Sequence, residues 1–285
     1  FSQALMSPTS TTMIDPTTFT VASPTTVQAA PITTTTTVAP RTTLPPAVIP
    51  STEARIANEK FFDLVRIQEV WDLGYTGKGS VVAIIDGQGF DVTHSDLTDR
   101  VLLEVCTSAI SEKCPNGEDV DEGPGMAVNL PNGRHGTAVA GVVHQLAPDA
   151  EFIFITTMGS TLKTVGPTST AYQWVIDNAE KYGIDALVMS YGAEQLERKA
   201  RRLGVDEVCF DDQNLDQKFA AMQALGVIPI VASGNSGRLS FVNFASCLDH
   251  TVGVGAVNEF GGIYGYSNVA ADLTLLAPSE LTVAT

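Results

Sequence analysis

Two rhythms of apolar and polar residues alternate along most of this chain. "FFDLVRIQEVWDLG" (61–74) repeats its apolar residues at helical spacing. It predicts one amphipathic helix with Leu64, Ile67, Val70 and Trp71 on the inner face. "SVVAIID" (80–86) is instead a short continuous apolar run rich in β-branched residues, which predicts a strand buried on both faces. Helices are then predicted over "HGTAVAGVVHQLAP" (135–148), "TAYQWVIDNAEKYG" (170–183) and "DQNLDQKFAAMQALG" (212–226), closed by Pro148, Gly183 and Gly226. Strands are predicted over "EFIFITT" (151–157), "DALVMS" (185–190), "VIPIVA" (227–232), "HTVGVGA" (250–256) and "DLTLLA" (272–277). This order predicts an α/β fold: a mostly parallel, doubly wound sheet with helices on both faces.

The first 50 residues follow neither rhythm. They are rich in Thr and Pro, and Asp15 and Arg41 are their only charges. Such a segment buries too little apolar surface to offset its ordering entropy. Residues 1–54 are therefore expected to form a disordered linker or stalk, and 55–285 the folded domain. The prolines argue against a helical pro-segment. Thr/Pro stretches of this kind are often glycosylated outside the cell, so the composition favours a secreted or cell-surface protein. A start at Phe1, with no basic and apolar leader, is expected to be a processed one.

The formal net charge of −16 argues against nucleic acid as a partner, because phosphate binding needs clustered Lys and Arg. No apolar run reaches the roughly 18 residues of a membrane span. A soluble, self-repelling monomer is the expectation. The four cysteines, Cys106, Cys114, Cys209 and Cys247, allow three pairings. Their placement near loops favours Cys106–Cys114 with Cys209–Cys247. Four free buried thiols are the alternative.

The chemistry collects at one rim. In open α/β sheets, sites form beyond the carboxyl ends of the strands. Asp86 follows the first strand, Ser190 follows "DALVM", and Asn235 follows "VIPIVASG", while His135 opens a helix. A buried carboxylate can fix a histidine's tautomer, the histidine can take a proton from a hydroxyl, and an amide can donate to a developing oxyanion. Neighbouring glycines at 136, 192 and 234 let backbone and substrate approach closely.

Four segments, "VVAIIDGQGFDVTHSDL", "NGRHGTAVAGVV", "ALVMSYG" and "VIPIVASGNSG", resemble successive blocks of the subtilisin-like serine peptidases, the subtilases. The likeness covers roughly residues 60–280. It implies the subtilisin-like fold, serine endopeptidase activity and a polypeptide substrate. By that resemblance Asp86 orients the histidine, His135 is the general base and Asn235 is the oxyanion-hole amide. Ser190, Tyr191 and Gly192 pair with substrate backbone as an added strand. Ala232, Ser233 and Gly234 wall the pocket before the cut, and Tyr191 and Ala193 shape subsites. No cofactor is implied, and structural calcium enters by the resemblance alone.

Two departures stand out. Asp86 is followed by Gly87-Gln88-Gly89, one residue more than the family's loop. The family's G-T-S-x-A block, which carries the serine, is absent. "LLAPSELTVAT" (275–285) resembles the segment before it, with Ser279 in place of a glycine, where Pro278 marks a turn. The serine is therefore expected beyond Thr285, and the 285-residue chain is expected to be inactive. A non-catalytic binding module of the same family is one alternative. A metal-dependent hydrolase built on Asp86, Asp91 and His94 is another; Asp96 would join the latter's cluster. Asp119, Asp121 and Glu122 read as a solvated acidic loop in preference to a calcium site. His144 and His250 read as ordinary core or surface residues.

Overall fold

The computed structural model describes residues 52–108, 112–128, 134–158, 168–190, 213–239, 242 and 244–279. Eight strands make one sheet: β1 (Val81–Asp86), β2 (Val101–Ser108), β3 (Val120–Glu122), β4 (Glu151–Met158), β5 (Ile184–Met189), β6 (Ile228–Ala232), β7 (Val252–Val257) and β8 (Leu275–Pro278). Their order is β3-β2-β4-β1-β5-β6-β7-β8. Every pairing is parallel except β2 with β3. The described helices are α1 (Thr52–Val65), α2 (Ile67–Asp72), α3 (His135–Leu146), α4 (Thr168–Tyr182) and α5 (Gln213–Ala224).

β1 is central, and all six of its residues are buried. Side chains alternate across a strand. Val81, Ala83 and Ile85 accordingly pack with Ala171, Trp174 and Val175 of α4 and with Phe219 and Met222 of α5. Val82 and Ile84 pack on the other face, with Phe90, Ala140 of α3, Phe152 and Phe154. The chain winds to one side of β1 through β2 and β4, then to the other through β5 to β8. The winding reverses at β1, so a crevice is expected beyond its carboxyl end.

Several expectations need correcting. The single helix over 61–74 is two helices, broken at Arg66, which sits in the left-handed region at φ 55°. The break resets the helical phase, so Leu64 and Val70 are exposed, while Phe61 and Phe62 are buried. Phe62 meets Trp71 edge to face across the break. Trp71 Nε1 donates to the Leu146 carbonyl at 2.9 Å, satisfying one of the orphan carbonyls at the end of α3. Buried Asn58 donates to Gln145 at 2.5 Å, so α1 and α2 together brace the end of the helix that begins with His135.

β2 and β3 are additional to the predicted strands. β2 contains buried Glu104 in an otherwise mostly apolar run. The expected strand over 272–277 is shorter and later, at 275–278. Cys106 and Cys114 are joined by a disulfide. Cys209 lies outside the described residues, and no described cysteine is free. His144 is buried with its Nδ1 unpaired, and burial holds its pKa below the usual histidine value. His250 pairs with Asp216 at 2.8 Å. No described helix is long and apolar enough to cross a membrane.

Candidate active site

Alternation along β1 places its last residue, Asp86, on the same side as Val82 and Ile84. That is the side packed against α3. Asp86 is 2% exposed, and its Oδ2 lies 2.5 Å from Nδ1 of His135, the first residue of α3. Its Oδ1 accepts from the Gln88 N–H at 2.8 Å, closing a tight turn over Gly87. Both carboxylate oxygens are thus engaged.

The approach of α3 to this turn requires glycine at 136. A Cβ there would lie 2.4 Å from the Gly89 carbonyl oxygen, 2.9 Å from the Phe90 ring and 3.0 Å from Asp86 Cβ. Asp91 N–H donates to the Thr137 hydroxyl at 2.9 Å, tying the loop to the first turn of the helix. The loop after Asp86 is held from outside as well. Phe90 N–H donates to the Ala127 carbonyl at 2.8 Å, and the Phe90 ring stacks on Phe154 at 4.3 Å. Gly89, at φ +72°, leaves no room for a side chain, since a Cβ would lie 2.2 Å from the Val128 carbonyl oxygen. The segment 125–127 is in turn anchored by Glu104, whose carboxylate accepts from the Gly125 and Ala127 N–H groups at 3.0 and 3.2 Å.

The hydrogen bond that His135 Nδ1–H donates to Asp86 raises the His135 pKa above the usual value, against an opposing effect of burial. With Nδ1 facing a carboxylate, the neutral ring carries its proton on Nδ1 and leaves Nε2 as the base. The side chain is 39% exposed, so solvent reaches the ring. An imidazolium at a helix N-terminus is disfavoured by the macrodipole, and the buried carboxylate offsets that.

The remaining described candidates follow other strands of the sheet. Ser190 follows β5, beside β1, and is half-buried. Tyr191, Gly192 and Ala193 lie outside the described residues. Ala232 ends β6; Ser233 is buried and its N–H donates to the Val254 carbonyl; Gly234 turns the chain at φ +101°; Asn235 is exposed. β6 lies two strand spacings from β1, or about 10 Å. Ser279 follows β8, four spacings or about 19 Å away, and its hydroxyl accepts from Tyr266 Oη at 2.7 Å. The structure therefore does not bring Ser279 to His135.

The acidic alternatives are tied into turns. Asp91 accepts from the backbone and hydroxyl of Thr93, which lower its pKa, and His94 Nδ1 accepts from the Asp96 N–H. Asp119 bonds Lys113 and Ser108, Asp121 accepts from the Asn116 N–H, and Glu122 accepts from Trp174 Nε1. Among the described residues, no group of three or more His, Cys, Asp or Glu is arranged to hold a metal ion.

Thr137, Glu104 and Asn268, which supports the Asn235 turn, were not among the candidates from sequence. A lone acid inside the apolar run 101–106 was a signal for Glu104. Asn268 carried none.

Residues 77–284 match a family model described as "Subtilase family". The chain is 25% identical over 255 residues to the major intracellular serine protease of Bacillus subtilis, covering 81% of this chain and 70% of that one. It is 26% identical to an intracellular serine protease of Paenibacillus polymyxa, covering 76% and 61%. It is 28% identical to subtilisin NAT of Bacillus subtilis subsp. natto, covering 72% and 48%. The chain thus spans about half to two-thirds of the latter two proteins. Among solved structures, a lanthipeptide protease superposes with a TM-score of 0.54 at 22% identity, over 83% of this chain and 66% of that one. The psychrophilic subtilisin-like protease Apa1 of an Antarctic Pseudoalteromonas does so with 0.54 at 18%, over 78% and 45%. The fold is therefore subtilisin-like.

Proposed function

Because the chain belongs to the subtilase family, we propose that it carries the acid, base and oxyanion elements of a serine endopeptidase, and that the attacking serine lies in a G-T-S-x-A block following residue 285. The observation that supports this most is the 2.5 Å contact between buried Asp86 and a solvent-accessible His135 at the carboxyl end of the central strand. In the proposed reaction, the serine Oγ bonds to the scissile carbonyl carbon as its proton passes to His135 Nε2. The carbonyl oxygen becomes an oxyanion held by the Asn235 amide and a backbone N–H. His135 then gives that proton to the departing amine as the C–N bond breaks. Water repeats the sequence to free the acid and restore the serine. Asp86 fixes the His135 tautomer and steadies its charged form. Ser190, Tyr191 and Gly192 offer backbone to an extended substrate, and Ala232 to Gly234 wall the pocket.

Relatives include proteins named as intracellular and one named as extracellular. The Thr/Pro segment and the Cys106–Cys114 disulfide favour an oxidising, extracellular setting for this chain.

The test is casein hydrolysis. The 285-residue chain alone is expected to leave casein uncut. Expressed together with its G-T-S-x-A block, the protein is expected to cut it, with inhibition by an active-serine reagent and loss on His135→Ala. Reagent-sensitive cleavage by the 285 residues alone would show the nucleophile to be misplaced. A downstream sequence with that serine substituted would favour the binding module. Chelator-sensitive cleavage that survives His135→Ala would favour a metal hydrolase on Asp86, Asp91 and His94.

A further inference from the structure

Asn268 is 0% exposed. A wholly buried primary amide is costly unless bonded, so where its bonds go is informative. Its Oδ1 accepts from the N–H groups of Ser236 and Arg238, at 3.0 and 3.1 Å. Its own backbone N–H donates to the Gly234 carbonyl at 3.0 Å. The neighbouring backbone adds two bonds, from Gly237 N–H to the Tyr266 carbonyl and from Val269 N–H to the Arg238 carbonyl, both at 2.7 Å. Five hydrogen bonds therefore join 266–269 to 234–238.

The geometry of the turn explains the arrangement. Gly237 has φ +63°, which swings the N–H groups on either side of it toward one point. That point is occupied by the Asn268 oxygen. A Cβ on Gly237 would lie 2.6 Å from the Gly265 carbonyl oxygen, so the two segments are in direct contact. Asn235 lies between Gly234 and Ser236, both gripped, while its own side chain is exposed.

We infer that Asn268 is a positioning residue for Asn235: by holding Gly234, Ser236 and Arg238 it fixes the direction in which the Asn235 amide leaves the turn. An oxyanion donor acts through preorganisation, so a mobile amide would lose much of its effect. The inference rests on the reading of Asn235 as the oxyanion donor.

Asn268→Leu keeps the approximate volume and removes the acceptor. Hydrogen exchange by NMR should show the Ser236 and Arg238 amides exchanging about 10–100-fold faster. The Asn235 side-chain amide should gain fast mobility, while amides of β6 keep the parent rates. Asn268→Asp retains an acceptor oxygen and should restore protection. Val231→Ala serves as a core control that loosens β6 without touching the turn. In the protein carrying the serine, Asn268→Leu should lower kcat with KM little changed. If the leucine variant does not fold, Asn268→Ser is measured in its place, with the same expected loss of protection.

Parent-like exchange at 234–238 in the leucine or serine variant would overturn the inference. So would loosening spread evenly over β6 and β7, as in the core control, or an Asn268→Asp variant as loose as the leucine one. Asn235→Ala separates the two layers. If it retains full turnover, the oxyanion reading fails even where the exchange results hold. If it loses turnover while Asn268→Leu leaves the turn unchanged, the positioning inference alone fails.

Discussion

At the scale of single residues, the site depends on what Asp86 does to His135. The carboxylate is buried, and one of its oxygens is spent on the Gln88 N–H, so its other oxygen is available to the ring. Because that bond raises the His135 pKa, the imidazole stays charged to a higher pH than an ordinary histidine. In its proposed role as general base His135 must be neutral, so the acid limb of kcat/KM should lie above the usual histidine pKa. In the protein carrying the serine, Asp86→Asn should move that limb downward and lower kcat by roughly 10⁴, since the amide favours the wrong tautomer. NMR titration of the ring checks the shift independently of turnover. The same shift has a sign for stability. The pair's contribution is full below pH 6.5, the unfolded value, and is lost as pH rises through the elevated folded value. The identities of Asp86 and His135 were legible in the sequence, because a carboxylate ending an apolar strand and a histidine opening a small-residue helix are local patterns. For Glu104 the lone acid in an apolar run was a signal but its partners were not, and Asn268 carried no signal, since what each holds lies 21 or more residues away.

At the scale of elements, α3 is positioned at both ends. Its far end is braced by Trp71 and Asn58, and its near end abuts the Asp86 turn. Gly136→Ala tests the near end. The added methyl would meet backbone oxygen at 2.4 Å, and backbone yields less readily than a flexible side chain. We expect a loss of about 1–3 kcal/mol in urea unfolding, with a weakened Asp86–His135 bond visible in the His135 titration. β1 and β4 were readable because a parallel strand buried on both faces is a continuous apolar run, whereas β2, whose apolar run is interrupted by Glu104, was not predicted. The helix over 61–74 was misread for a physical reason. Periodicity assumes one axis, and the left-handed residue at Arg66 starts a second. β3 was missed because three residues are too few to show a period.

At the scale of the whole molecule, 32 acidic residues against 16 basic ones set the solution behaviour. Self-repulsion of a chain with net charge −16 opposes compaction, and added salt screens it. Thermal unfolding at pH 7 should therefore show Tm rising as sodium chloride increases from about 0.01 to 0.3 M, where the Debye length falls well below the molecular radius. A Tm independent of salt would show that local pairs such as Lys60–Glu259 already neutralise the field.

The sequence by itself determined the layered α/β architecture, the central strand and the rim on which polar residues collect. Those follow from local rhythm and from residue types adjacent along the chain. Tertiary structure decided which side of β1 Asp86 faces relative to α3, how close Gly136 lets them come, and which distant amide supports the Asn235 turn. Such contacts arise from the packing of separate segments, whose distances are set only when the sheet and its helices close on one another.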